Sequence, residues 1–357
     1  MKSLPFFRQI CYSDNREVCD SIFRKKVIRL RFRKIIYCVC LLLLVAGCAD
    51  ADGVKENPDS SLTKAPQITG GVSSGGMSLE GTDLPENPAL PDILRPVASG
   101  ALTEETDRAV IDYSNTAEGY VMACLKAVLE KRIKVQVKGP TTTYTYNLTD
   151  ETWETFPLSD GNGTYQVAVY ENVEGSKYAL VQSVTTEVEL QDEFAPFLRP
   201  NQYVDYADAE QTVKTAAQLA YGAETELEKV QAVYEYVVQT LTYDKELAAT
   251  VQSGYLPDLD AVLESKKGIC FDYAALMTGM LRSQSVPCKL VVGYAGEVYH
   301  AWISVYTEKD GWIDGVIYFD GSVWKRMDPT FASSGSQSDE IMDFIGDGTN
   351  YIEKYLY

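Results

Sequence analysis

One histidine and a few thiols bound the acid–base and nucleophilic chemistry open to this chain. Its 357 residues hold eight cysteines and a single histidine, His300. Cys11, Cys19, Cys38, Cys40 and Cys48 all lie in a basic and apolar N-terminal segment. Cys124, Cys270 and Cys288 remain as candidate thiols in the body. A thiolate is a strong nucleophile, but a free thiol has a pKa of about 8.5 and needs help to ionise at neutral pH. An imidazole is the side chain best placed to exchange protons there. Three scattered thiols and one imidazole build no Cys/His zinc cluster. Phosphate-binding and dinucleotide-binding glycine fingerprints are absent as well. No cofactor is expected, and a calcium or magnesium ion held by carboxylates alone stays open.

The surroundings of these residues are informative. Cys270 lies in Lys267-Gly268-Ile269-Cys270-Phe271-Asp272-Tyr273-Ala274. His300 lies in Tyr299-His300-Ala301-Trp302, and further on comes Met327-Asp328-Pro329-Thr330. A G-x-C at a helix start, an H-A-W strand and a D-P-T strand end, in this order, resemble the transglutaminase-like superfamily. The resemblance covers about residues 210–335. It implies a papain-like α+β fold and a Cys270–His300–Asp328 triad. It also implies acyl transfer through a Cys270 thioester, with water or an amine as the second acceptor.

The residues make physical sense beside that resemblance. The first turn of a helix presents unpaired N–H groups and the positive end of its dipole, which favour a thiolate at Cys270. His300 would supply an imidazolium partner, and Asp328 would orient its ring. Gly268 would leave room for a substrate backbone, and the Cys270 N–H is a candidate oxyanion donor. Tyr243, in Leu241-Thr242-Tyr243-Asp244, stands where relatives place an aromatic near the site; it lines either the cleft or the core. Asp314 and Asp320 are fallback third members, and Asp272 is read as a local cap. Taken singly, each residue has a plainer reading: a small buried thiol, a structural histidine, a turn-capping aspartate. A Cys124–Cys288 disulfide is one further arrangement.

The elements that must position these residues follow from periodicity. Leu227, Val230, Val233, Tyr234, Val237 and Val238 recur at helical spacing toward Thr240, and a second helix is expected from Cys270 to about Ser283. Strand-like runs follow: 289–294, 301–306, 315–319 and 322–327. Helices first and adjacent strands afterward indicate α+β. Earlier, 131–137, 164–170 and 184–190 alternate with period two and are separated by turn signals such as Asp160-Gly161-Asn162-Gly163. Several short strands here suggest an all-β immunoglobulin-like sandwich.

The N-terminal segment reads as an export signal. Ten Lys/Arg and three Asp/Glu precede Cys48. The apolar run 35–47 is short of the roughly 20 residues a spanning helix needs. It ends Leu44-Val45-Ala46-Gly47-Cys48, which resembles a bacterial lipobox with Cys48 as the lipidated residue. Residues 49–100 hold six prolines, seven glycines and no aromatic ring, as a flexible tether would. Gly71-Val72-Ser73-Ser74-Gly75 in this tether matches G-x-S-x-G, but it lacks the flanking strand and helix a nucleophile elbow needs.

The expected organisation is therefore a signal peptide at 1–47, a tether at 48–104, a sandwich at 105–205 and a papain-like transglutaminase core at 206–357. The whole chain carries a net charge of −19, which argues against nucleic-acid binding. The expected location is the extracytoplasmic face of a membrane, through the lipid, with protein or cell-wall peptide as substrate. The expected activity is that of a thiol acyl-transfer enzyme, leaning to peptide or amide hydrolysis over cross-linking. The competing class is a catalytically silent surface binding module.

Overall fold

The computed structural model describes residues 88–127, 130–149, 151–296, 298–314, 318–319, 324–325 and 351–357. The signal segment, Cys48, the Gly71–Gly75 pattern, Asp320 and Asp328 lie outside the described residues. No helix among the described residues is long and apolar enough to cross a membrane.

Eight strands occupy the first half: β1 (Thr103–Glu105), β2 (Ala109–Asp112), β3 (Tyr120–Leu125), β4 (Ile133–Lys138), β5 (Thr143–Leu148), β6 (Glu154–Pro157), β7 (Gly163–Glu174) and β8 (Lys177–Val188). They form two antiparallel sheets, ordered β1-β2-β3-β6 and β5-β4-β7-β8. Alternation decides which side each residue faces. Ile133, Val135 and Val137 of β4 are buried, as are Tyr144, Tyr146 and Leu148 of β5. Tyr146 of one sheet meets Phe156 of the other at 4.7 Å between ring centroids. The β7–β8 hairpin turns through Gly175, whose φ of 56° suits a residue without a Cβ.

Part of the expected tether is held in place. Arg95 pairs with Asp208 at 2.8 Å, and its guanidinium also reaches the Ala207 carbonyl. The Gly100 N–H donates to Asp112 at 2.7 Å. The segment's composition argued for a free coil, yet these polar anchors and the β1–β2 pairing fix its last residues.

The second half is mixed helix and strand. It contains α1 (Glu210–Leu219), α2 (Glu226–Thr240), β9 (Thr242–Tyr243), α3 (Lys245–Thr250), α4 (Leu259–Ser265), β10 (Lys267–Gly268) and α5 (Cys270–Ser283). Then come β11 (Cys288–Ala295), β12 (Val298–Thr307), β13 (Gly311–Asp314), the short pair β14 (Tyr318–Phe319) and β15 (Trp324–Lys325), and β16 (Tyr351–Leu356). One antiparallel sheet runs β13-β12-β11-β16. A capping box starts α2: the Glu228 N–H donates to the Thr225 hydroxyl, and the Glu228 carboxylate accepts from the Thr225 N–H.

Helix α5 is apolar nearly all round, and all its residues except Phe271 are buried. Helices α1, α2 and α4 pack on it from one side and β11 and β12 from the other. The core continues from the helix into the two-sheet half. Tyr144 and Tyr146 pack against Tyr357, and Tyr203 bridges Tyr357 and Phe271. A fully buried side chain of this class stabilises the fold by about 1.5–3 kcal/mol.

Candidate active site

The local structure before α5 fixes where Cys270 sits. Lys266 ends α4 in the left-handed region, with φ 54°. Strand β10 then runs parallel to β9, with Lys267 opposite Thr242 and Gly268 opposite Tyr243. The Thr242 N–H donates to the Lys266 carbonyl at 2.9 Å, and the Asp244 N–H to the Gly268 carbonyl at 2.8 Å. Cys270 follows as the first residue of α5, buried at 7% exposure.

Asp272 locks this turn. Its carboxylate accepts the Ile269 N–H at 2.7 Å and the Tyr255 hydroxyl at 2.7 Å. Burial pushes its carboxyl pKa up, the two hydrogen bonds pull it back, and Asp244 adds to the rise. The capping role read for Asp272 is what the structure shows. The sequence carries no comparable signal for Tyr255, which comes from the loop between α3 and α4.

Gly268 packs closely against Asp272. A Cβ there would lie 2.6 Å from the Asp272 Cβ. Tyr243 is half-buried beside Gly268 in register, so it sits two residues upstream of the thiol across the β9–β10 pair.

His300 lies in the first half of β12, opposite Gly293 of β11. Cys288 marks the side of this sheet that faces α5, because its sulfur lies 3.6 Å from the Thr278 hydroxyl. Residues opposite each other share a face, so Tyr299, Ala301, Ile303 and Val305 face the helix with it. Tyr299 is close enough to Cys270 for the two side chains to interact electrostatically at its phenol. Burial pushes that phenol up first, with Tyr355, Tyr203, Tyr294 and Cys270 adding to the shift. His300 alternates to the other face, where its ring stacks on Trp302 at 6.4 Å and 25°. Cys270 and His300 are thus neighbours by element, and no hydrogen bond joins them among the described residues. Catalytic hydrogen bonds are often loose until substrate binds.

Asp314 ends β13 opposite Ser304. That is four residues along β12 from His300, or about 13 Å at strand rise, and too far to orient the imidazole. Cys124, Cys270 and Cys288 are all free thiols, so the Cys124–Cys288 bridge is not formed. Among the described residues, no group of three His, Cys, Asp or Glu side chains is placed to hold a metal ion.

Residues 213–314 match the profile of the transglutaminase-like superfamily. This stretch is a transglutaminase-like domain. It takes in Cys270 and His300 and ends before Asp328. Over 128 residues the chain is 30% identical to mouse kyphoscoliosis peptidase, covering 31% of this chain and 19% of that one. The human kyphoscoliosis peptidase is 32% identical over 98 residues, covering 24% and 15%. The chain thus spans under a fifth of the length of these curated relatives. A solved Cytophaga hutchinsonii protein, provisionally named a cysteine protease, matches at 14% identity and TM-score 0.34 over 72% of this chain and 74% of that one. Red sea bream transglutaminase matches at 12% identity and TM-score 0.26, covering 64% and 53%. The two solved structures carry no functional argument at those TM-scores.

Proposed function

We propose that the transglutaminase-like domain performs acyl transfer on peptide amides through a thioester at Cys270, with water as the usual acceptor. One observation carries this reading. Cys270 opens a buried helix after a turn locked by Asp272, so its thiol is held in one place at the first turn, where the helix offers its N–H groups. In the proposed cycle the Cys270 thiolate attacks the amide carbon, and its backbone N–H receives the developing oxyanion. His300 protonates the departing amine, and the C–N bond breaks. Water then adds to the thioester carbonyl, the C–S bond breaks, and the acid is released. Asp328 would hold the His300 ring. The two-sheet half, whose sheets are ordered β1-β2-β3-β6 and β5-β4-β7-β8, would be an immunoglobulin-like spacer. Lipid at Cys48 would place the enzyme on the extracytoplasmic membrane face, near protein or cell-wall peptides.

A second reading has its own observation. His300 shares a face with Trp302 rather than with the helix, as a silent binding module would tolerate. The discriminating experiment incubates the full chain and Cys270→Ala with a peptide library and a labelled primary amine, read by mass spectrometry. Cleavage or deamidation that needs Cys270 is the expected result. Amine incorporation instead would make the domain a cross-linker. Identical products from enzyme and variant, on library and wall peptides alike, would favour the silent module.

A further inference from the structure

The turn that carries Cys270 is braced by residues outside the 213–314 domain. Tyr203 lies in the link between β8 and α1. Its ring stands 5.5 Å from that of Phe271, at 74°, and Phe271 directly follows Cys270. The same ring meets Tyr146 of β5 at 5.4 Å and Tyr357 at 4.6 Å. Aromatic pairs at these separations favour tilted and edge-to-face arrangements, so each ring restricts the next. The backbone beside Tyr203 hangs on the two-sheet half. Buried Gln202 donates its N–H to the Thr155 carbonyl of β6 at 3.1 Å, and its side-chain amide to the Asn147 carbonyl of β5 at 2.8 Å. The Asn201 side chain accepts the Tyr203 N–H at 3.0 Å.

A second brace reaches the same turn through Tyr255, whose hydroxyl donates to Asp272. Tyr255 closes a tight turn, its N–H donating to the Gln252 carbonyl at 3.2 Å. Gly254 is the third residue of that turn, with φ 92°, where glycine is favoured. The Asn147 side chain lies against it, since a Cβ on Gly254 would come within 2.7 Å of the Asn147 Nδ2. Asn147 belongs to β5, and its carbonyl is the one that holds Gln202. One strand of the two-sheet half therefore bears on both residues that follow Cys270: on Phe271 through Tyr203, and on Asp272 through the Gly254–Tyr255 turn.

We propose that the two-sheet half is a positioning element for Cys270 rather than only a spacer, with Tyr203 and Asn147 as its positioning residues. The catalytic consequence rests on the thioester reading of Cys270. In that chemistry a reacting atom displaced by about 1 Å can lose about a hundredfold in rate.

Hydrogen exchange of the full chain, read by mass spectrometry on peptides spanning 267–273, tests the brace without a substrate. Tyr203→Leu is expected to speed exchange in that segment about fivefold and Asn147→Ala about twofold, the sizes of a lost ring pair and a lost van der Waals contact. Peptides spanning 277–283, the far half of α5, should keep the native rate in both variants. Tyr203→Phe, which keeps the ring, should restore native exchange at the turn. In a Tyr255→Phe background, where the link to Asp272 is already cut, Asn147→Ala should add nothing. Asn147→Ala also serves as the second variant should Tyr203→Leu fold poorly. Unchanged exchange at 267–273 in both variants would overturn the proposal. Faster exchange all along α5 would overturn it too, by making the contacts merely structural. Peptide turnover by the same variants separates the brace from the chemistry. A fall in kcat at constant KM is expected alongside faster exchange at the turn. Faster exchange with no Cys270-dependent turnover in the native chain would keep the brace and sink the thioester reading. Unchanged exchange with Cys270-dependent turnover would do the reverse.

Discussion

The two ends of α5 hold two buried thiols in opposite settings. At the first turn, buried Cys270 is followed by half-buried Phe271, and half-buried Tyr243 and Tyr299 pack against the same core. At the other end, Cys288 is fully enclosed, its sulfur against Thr278, and burial pushes its thiol pKa up to about 11. Beside it the Arg282 guanidinium donates to the carbonyls of Cys288, Arg199 and Tyr357 at 2.8, 2.8 and 2.6 Å. One end is tied down by a cation that spans two chain segments and the start of β11. The other is tied down by a carboxylate that reaches back to Ile269 and across to the Tyr255 hydroxyl. Both thiols are buried, so burial alone would not separate a reactive thiol at Cys270, as proposed, from an inert one at Cys288. What differs is access and which charge does the anchoring.

The largest expected contrast is in thiol reactivity. In the native chain at pH 7, Cys270 is expected to react with iodoacetamide at least about a hundredfold faster than Cys288, which stays a thiol and is enclosed. Peptide mapping of the alkylated sites measures the ratio, and equal rates would erase the contrast. In the same series Cys270→Ala removes turnover with little change in unfolding free energy. Cys288→Ala does the reverse, lowering stability by about 1–3 kcal/mol through the cavity it leaves.

Next in size is the anchor at the far end. Arg282→Met would take a donor from three carbonyls; that of Tyr357 would keep the Leu290 N–H, while those of Cys288 and Arg199 would lose the guanidinium that ties them to α5. With each stranded acceptor costing about 1–3 kcal/mol, a loss of about 3–5 kcal/mol in urea unfolding is expected. A loss under about 1 kcal/mol would mean that water replaces the guanidinium. Tyr255→Phe probes the near end, where one hydroxyl donor to a buried carboxylate is removed. Its cost is expected to be about 1–2 kcal/mol, smaller than that of Arg282→Met, with a fall in turnover as the Cys270 turn loosens.

The legibility of the two ends in sequence follows the same division. Helix α5 was readable to its bounds, Cys270 to Ser283, because its apolar face repeats locally. Asp272 three residues after Ile269 has the spacing of a cap, and the structure shows that bond. Helices α1, α3 and α4 were not read. The last two are short, at six and seven residues, and are held by caps at Asp244 and Asp258 rather than by a long apolar stripe. Strand β16 was not read either. Its Tyr351-Ile352-Glu353-Lys354-Tyr355-Leu356 places apolar residues on both faces, and its partner β11 lies some sixty residues upstream. Periodicity cannot report a pairing that distant. Among the candidate site residues, Cys270 and His300 were singled out by type and motif. The face on which His300 stands was not, because it depends on the β11–β12 register.

The smallest effect is the one that reads the near end most directly, the pH dependence contributed by Asp272. Burial raises its native pKa above that of an aspartate in the unfolded chain, which is about 3.9. Between the unfolded value and the raised native value, the native state holds a proton that the unfolded state has lost. Stability therefore falls as pH rises through that window and levels off above the native pKa. Asp272→Asn carries no titrating proton, so urea titrations across the window should show a shallower fall than in the parent chain. Tyr255→Phe should act in the opposite direction. Loss of the hydroxyl donor removes an interaction that favours the carboxylate, so the native pKa climbs further and the fall extends to higher pH. Arg282→Met, at the far end of the same helix, should leave this slope alone. If it flattened the slope as Asp272→Asn does, the two ends of α5 would be one cooperative unit, and the division between a reactive and a sealed end would fail.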